Sequence, residues 1–376
     1  MVWKSLDKVD SSIYKGLAIL LIATHNFMHL FPTPKENEFE FLSHRVQDFI
    51  HLASSQPENL ARLILAFLGH YGVQVFIFLS AYGLTKKYLQ EKPIYGQFLW
   101  QRVAKLYPAF IVAIVAWLLI EGWVLGDYGL LGPIKVLYWN IVPLLLKLTL
   151  LSNFVPDYSL QPMGPWWFIP FIFQFYLVFP LLRHLHGRFG TTGLLVVSVS
   201  SVLFAMFSGG KIGELNIYFT VAGHLPEICL GIYLASRRQS AMAVSNWWIV
   251  IAVGVFVLGN FYQFFWYFSH ITSLIILLAC FTALASWIRK SEPAKRTALF
   301  YGEISMLLFL VNGFLREPYI YWAMFYDHWF LTIVLCLVSI ATSTLLAYVL
   351  TVALSRRLPG TFPKFPALPA RDLKKV

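Results

Sequence analysis

Lys15-Gly16-Leu17-Ala18-Ile19-Leu20-Leu21-Ile22-Ala23-Thr24-His25-Asn26-Phe27-Met28-His29 is the stretch on which the reading of this chain turns. It reads as an apolar helix that opens on a cation and carries two histidines one turn apart. A helix rises about 1.5 Å per residue, which sets His25 roughly 15 Å beyond Lys15. A hydrocarbon core is about 30 Å thick, so with Lys15 at one edge His25 falls near mid-depth. An ionisable group at that depth is costly and is a functional candidate by default. Pro32 and Pro34 end the helix, because proline cannot continue the hydrogen-bond ladder.

The same apolar character recurs to the C-terminus. Of 376 residues, 58% are hydrophobic and only 12% charged, with mean hydropathy +0.66. A soluble domain carries about 25% charged residues, so this composition points to a polytopic membrane protein. Residues 1–355 read as one membrane domain and 356–376 as a flexible cytoplasmic tail. The apolar runs are about twenty residues long and lack period-two alternation, which favours an all-α bundle over a barrel. No small-residue cleavage site follows the first run, so it is expected to act as an uncleaved signal anchor.

Loop charge orients the bundle. Runs near 16–31, 63–84, 106–125, 165–182, 189–207, 217–235, 247–268, 271–288, 299–315 and 329–354 are separated by two kinds of loop. One set is basic: Lys86, Lys87, Lys92, Arg102 and Lys105, then Arg183 with Arg188, Arg237-Arg238, Arg289-Lys290 with Lys295-Arg296, and Arg356-Arg357. The other set is poor in cations, like the acidic stretch 35–59 with His44 and His51, the Gly126-Asp127 turn and the turn at Lys211. By the positive-inside rule this gives about ten transmembrane helices with both termini cytoplasmic. The segment 134–151, broken by Asn140, Pro143 and Lys147, then lies on the interface or re-enters. The net charge of +11 follows from the basic loops, and no nucleic-acid partner is expected. Cys229, Cys280 and Cys336 sit in apolar runs and read as packing residues. No Cys/His cluster has zinc spacing, so no metal is expected.

Several polar groups can carry chemistry. A neutral His25 can take a proton from a hydroxyl, the task of a general base, and His29 lies one turn further along the same face. Arg102 and Lys105 share a helix face and could clasp phosphates. Tyr176, in the span that begins at Trp166-Trp167-Phe168, can donate a hydrogen bond, while the tryptophan pair itself suits an interfacial belt. His224 with Glu227, and Asn312 with Arg316 and Glu317, read as structural pairs near span ends.

In their order and spacing these segments resemble the acyltransferase family 3 proteins, membrane-integral acyl-CoA-dependent O-acyltransferases. The resemblance is carried by Lys15-Gly16-Leu17-Ala18 leading to His25, by Gly72-Val73-Gln74-Val75-Phe76 through Leu84, and by Arg102-x-x-Lys105-Leu106-Tyr107-Pro108. It continues in Trp166-Trp167-Phe168 through Tyr176 and Pro180, and more weakly in Leu225-Pro226, Gly231–Ala235 and Gly302-x-Ile304-Ser305. It implies His25 as the catalytic histidine and Arg102 with Lys105 as the basic pair that holds acyl-CoA. His29, a helper or a structural neighbour, and Tyr176, a hydrogen-bond donor or a packing residue, are further catalytic candidates, and Lys15 is a further acyl-CoA-binding candidate. Lys15 and Lys105 stand where many members have arginine, Ile172 and Phe173 where many have glutamates, and Asn312 where a histidine is frequent. The implied activity moves an acyl group, acetyl before others, from cytoplasmic acyl-CoA to a hydroxyl of an extracytoplasmic polysaccharide or lipid-linked sugar in a bacterial inner membrane. Acyl-CoA is then a co-substrate, and no permanently bound cofactor is expected. The alternative is a transporter or glycan translocase with His25, His29, His70, His224 and Glu227 along a polar path; a third possibility is an inactive scaffold for glycan assembly.

Overall fold

The computed structural model describes residues 2–4, 6–32, 34–90, 93–126, 128–237, 241–243 and 246–358. Lys92, Asp127, Arg238 and the tail from residue 359 onward lie outside the described residues. Helix makes up 82% of the protein. The extended pairs among the described residues are short: Val2–Lys4 with Ala241–Ala243, and Lys211–Ile212 with Leu215–Asn216. The protein is therefore nearly all-α, as the apolar periodicity requires.

Helix α1 (Lys8–Met28) is started by a capping box. The Asp7 carboxylate accepts from the Asp10 N–H at 2.7 Å, and the Asp10 carboxylate from the Asp7 N–H at 3.4 Å. Arg289 then grips both acids, with Nη2 2.7 Å from Asp7 and Nε 2.8 Å from Asp10. Burial pushes the Asp7 carboxyl up, but the Asp10 N–H and the Arg289 guanidinium outweigh it and hold the group below its ordinary range.

The polar stretch after α1 folds into α2 (His44–Ser55), and the next apolar run splits into α3 (Leu60–Leu68) and α4 (Gly72–Lys87) across a 3-10 turn at Gly69–Tyr71. Beyond α5 (Tyr95–Ile120), the segment 134–151 forms two short helices, α6 (Gly132–Trp139) and α7 (Ile141–Leu148). Asn140 separates them, its amide donating to Val136 O at 2.9 Å. Each is far shorter than the roughly twenty residues a crossing needs. The remaining helices are α8 (Phe168–Ser208), α9 (Leu225–Ser236), α10 (Asn246–Phe261), α11 (Gln263–Trp266), α12 (Ser269–Ile288), α13 (Glu292–Leu315), α14 (Glu317–Tyr326) and α15 (Trp329–Arg357). Helix α8 contains both runs expected as separate spans, joined through a break at Gly190 (φ 60°, ψ −147°). Among the described residues, 6 helical stretches are long and apolar enough to cross a membrane, and Val221–Ser236 and Asn246–Phe261 are shorter apolar helices.

Helix α1 is enclosed, with α13 as its main neighbour and α3, α4, α12 and α15 around it. The approach to α13 is backbone to backbone: a Cβ on Gly302 would stand 2.2 Å from Ser12 O, and one on Gly16 2.2 Å from Ala298 O. Small residues at a helix crossing let membrane helices pack this closely. Trp166 and Trp167 are buried anchors rather than an interfacial belt, at 0% and 5% exposure. The Trp166 indole donates to Leu310 O on α13 at 2.9 Å, a partner that fixes the ring inside. Apolar side chains such as Val124, Phe207 and Leu345 face outward instead, as a lipid environment permits. All three cysteines are free; Cys229 and Cys336 are buried and Cys280 is exposed.

Candidate active site

The 3.6-residue period brings His25 and His29 onto one face of α1, and their rings stack at 4.6 Å between centroids. His25 is buried, and its Nδ1 lies 3.3 Å from the carbonyl oxygen of Leu65 on α3. A carbonyl only accepts, so Nδ1 carries the proton and Nε2 keeps its lone pair. The 3-10 turn after α3 can come this close only because Gly69 lacks a side chain: a Cβ there would stand 2.6 Å from the Cβ of His25. That approach sets the buried His70 ring 5.5 Å from the His25 ring. Neither nitrogen of His70 has a hydrogen-bond partner among the described residues.

The loop after α1 supplies a carboxylate. Glu36 Oε1 accepts from His29 Nδ1 at 3.2 Å. Arg45 fixes that loop, donating to Glu36 O at 2.7 Å and to the Glu40 carboxylate at 2.6 Å. Burial pushes the Glu36 carboxyl up, but the hydrogen bond from His29 and the electrostatic pull of the nearby His25, His29 and His70 bring it down to about 2. A depressed carboxyl stabilises the fold above its ordinary value of 4.5 and loses that contribution as pH falls towards 2. Glu36→Gln is therefore expected to lower turnover about tenfold and stability by about 1–2 kcal/mol at pH 7, with the stability gap closing as pH is lowered. Paired melting curves of wild type and variant from pH 7 to pH 3 check this; a constant gap would show that Glu36 is held some other way.

One residue along, α1 is clamped to α13. Asn26 Nδ2 donates to Asn312 Oδ1 at 3.2 Å, and Arg316 donates to the Asn26 carbonyl. All three residues are buried, which makes Asn312 and Arg316 the structural partners that their spacing suggested, while Glu317 is exposed.

The opposite end of α1 is basic. Lys15, Arg102 and Lys87 lie close enough to act electrostatically on Lys105. The Arg102 guanidinium sits over the Phe98 ring at 5.7 Å. Tyr176 packs against the same ring at 6.3 Å, within electrostatic reach of Arg102. The structure thus brings Tyr176 to the basic cluster, whereas His25 and His29 are joined by His70 and Glu36. In the sequence, His70 is grouped with His25 and His29 only along the polar path of the transport reading, and Glu36, which arrives on a returning loop, is not singled out.

A second polar cluster gathers His224, Glu227 and His270, all buried. Its donor atoms lie within 4.8 Å of one another, as do those of His25, His29 and Glu36. The first two were legible as a pair; His270 comes from the start of α12.

A buried imidazole with a free lone pair, stacked on the partly exposed His29, can deprotonate an alcohol. No curated protein and no solved structure matches the chain. The family described as an acyltransferase domain, acyltransferase family 3, matches residues 12–352, a stretch that takes in both the histidine cluster and the basic cluster. The transport reading gives way to acyl transfer: the chain belongs to acyltransferase family 3 and is a membrane acyltransferase, transferring groups other than aminoacyl groups.

Proposed function

We propose that this protein is an O-acetyltransferase of a bacterial inner membrane, with ten spans and both termini in the cytoplasm. It moves acetyl from cytoplasmic acetyl-CoA to a hydroxyl of an extracytoplasmic polysaccharide or lipid-linked sugar. The observation that carries the reading is the hydrogen bond from His25 Nδ1 to Leu65 O, which leaves Nε2 as a base roughly 15 Å along one helix from a cluster of cations. Lys15, Lys87, Arg102 and Lys105 suit the phosphates of CoA, whose pantetheine arm would bring the thioester towards His25. His25 Nε2 takes the proton of the acceptor hydroxyl as its oxygen attacks the thioester carbonyl. The C–S bond breaks, the ester forms, and the imidazolium returns its proton to the leaving thiolate.

Purified protein in liposomes, given labelled acetyl-CoA and candidate glycans, should form a labelled ester. Consumption of acetyl-CoA without ester, or ester formation from another acyl donor only, would overturn the assignment. Arg102→Ala with Lys105→Ala should raise KM for acetyl-CoA at least tenfold and change kcat less, since each lost charge-assisted contact is worth about 1.5–3 kcal/mol. An unchanged KM would leave the pair as simple membrane anchors.

A further inference from the structure

His224, Glu227 and His270 make a pairing that protons alone satisfy poorly. His224 Nε2 lies 2.9 Å from the Tyr218 carbonyl, an obligate acceptor, so Nε2 carries the proton. In a neutral ring Nδ1 is then a lone pair, and it faces Glu227 Oε1 at 3.3 Å. His270 Nδ1 aims at the same oxygen from 3.9 Å. The two imidazoles stack at 5.0 Å with an interplanar angle of 12°. Glu227 is 0% exposed, and its Oε2 has no hydrogen-bond partner among the described residues. Two nitrogens thus converge on one carboxylate oxygen, and the other oxygen is buried and unsatisfied. Protons on the rings would serve Oε1 alone, and Oε2 would still be left without a partner among the described residues. The histidine cluster at His25 differs, because there the proton of each hydrogen-bonded ring nitrogen meets an acceptor, the Leu65 carbonyl or Glu36.

We infer that His224, Glu227 and His270 bind a divalent transition-metal ion of the zinc class through two imidazole nitrogens and the carboxylate. Ligand atoms about 2.0–2.1 Å from a tetrahedral zinc stand roughly 3.3 Å apart, the spacing that Glu227 Oε1 already holds to one histidine and approaches with the other. Metal-ligating histidines give their second N–H to a backbone carbonyl or carboxylate, as His224 does to Tyr218. Three protein ligands leave a fourth position, and Glu227 and His270 line a small cavity together with Tyr218, Tyr267 and Ser201. The buried Tyr218 hydroxyl, itself without a partner among the described residues, can steady a water or hydroxyl there. The ion fastens the start of α9 to the start of α12. It stands next to the active site: Tyr71 packs on His70 at 3.9 Å and faces His270 at 6.3 Å.

The inference does not depend on the identity of the acyl donor or acceptor, and its test uses no turnover. Tag-free, full-length protein in detergent is loaded with zinc, desalted and measured by elemental mass spectrometry, and in parallel loaded with cobalt for visible absorption. Wild type should retain about one ion per chain, with cobalt bands typical of a four- or five-coordinate N/O site. Glu227→Gln and His270→Gln should each weaken retention at least tenfold, while His29→Ala keeps it. Wild type that holds neither zinc nor cobalt after loading overturns the site, which makes the result independent of how the variants fold. Undiminished retention in both Gln variants, or loss in His29→Ala with retention in Glu227→Gln, would also overturn it.

Discussion

His25→Gln is expected to leave the folded protein at its normal level and to cut acyl transfer by about 100- to 10,000-fold. The amide can still donate to Leu65 O, as His25 Nδ1 does at 3.3 Å, so the α1–α3 contact survives. What it lacks is the lone pair of Nε2. His25→Ala removes both and should lose at least as much. His70→Ala removes a neighbouring ring and not the base, and should cost less. Labelled acetate incorporated into surface glycan, at matched protein level, measures all three. Undiminished acylation in His25→Gln would end the role of His25 as base, whatever the family membership.

Gly302→Ala is expected to be among the most damaging single-methyl changes in the bundle. A Cβ there stands 2.2 Å from Ser12 O, a backbone atom that no rotamer change can move aside. Helices α1 and α13 would have to part by more than an ångström, breaking the contacts that Asn312 and Arg316 make with Asn26. Overpacking costs about 1–3 kcal/mol in forgiving sites, and this one is at or beyond the top of that range. Thermal unfolding in detergent should show a clear fall in melting temperature together with lost activity. Gly83→Ala is the control: a Cβ there meets nothing within 4 Å, so its melting temperature should hold or rise slightly. Equal melting of Gly302→Ala and wild type would mean the two backbones are not this close.

The parts of the fold legible in the sequence are those set by local period and charge. The apolar face of α1, its stop before Pro32 and the i, i+4 pairing of His25 with His29 follow from residues near in the chain. So does the break of 134–151 at Asn140, which the structure turns into α6 and α7. What escaped depends on distant partners. Trp166 reads in the sequence as part of an interfacial belt, and only the Leu310 carbonyl beside its indole shows it to be a buried anchor. Glu36 reaches His29 through a loop that no periodicity announces, and His270 joins Glu227 across two helices. His70 is grouped with His25 in the transport reading, but its place beside that ring depends on the 3-10 turn. The i, i+3 spacing of His224 and Glu227 was the only signal for the second cluster.

The clamps at the two ends of α1 have a mechanical consequence. Arg289 holds Asp7 and Asp10 at one end, and Arg316 with Asn312 holds Asn26 at the other. A rod pinned at both ends can neither slide nor turn. A slip of one residue would swing every side chain by about 100° and shift it by about 1.5 Å. Lys15 and His25 stand on that one rod, so its rise fixes their spacing, and the clamps fix how both face the neighbouring helices. Re-aiming the two side chains against their neighbours would require releasing an arginine.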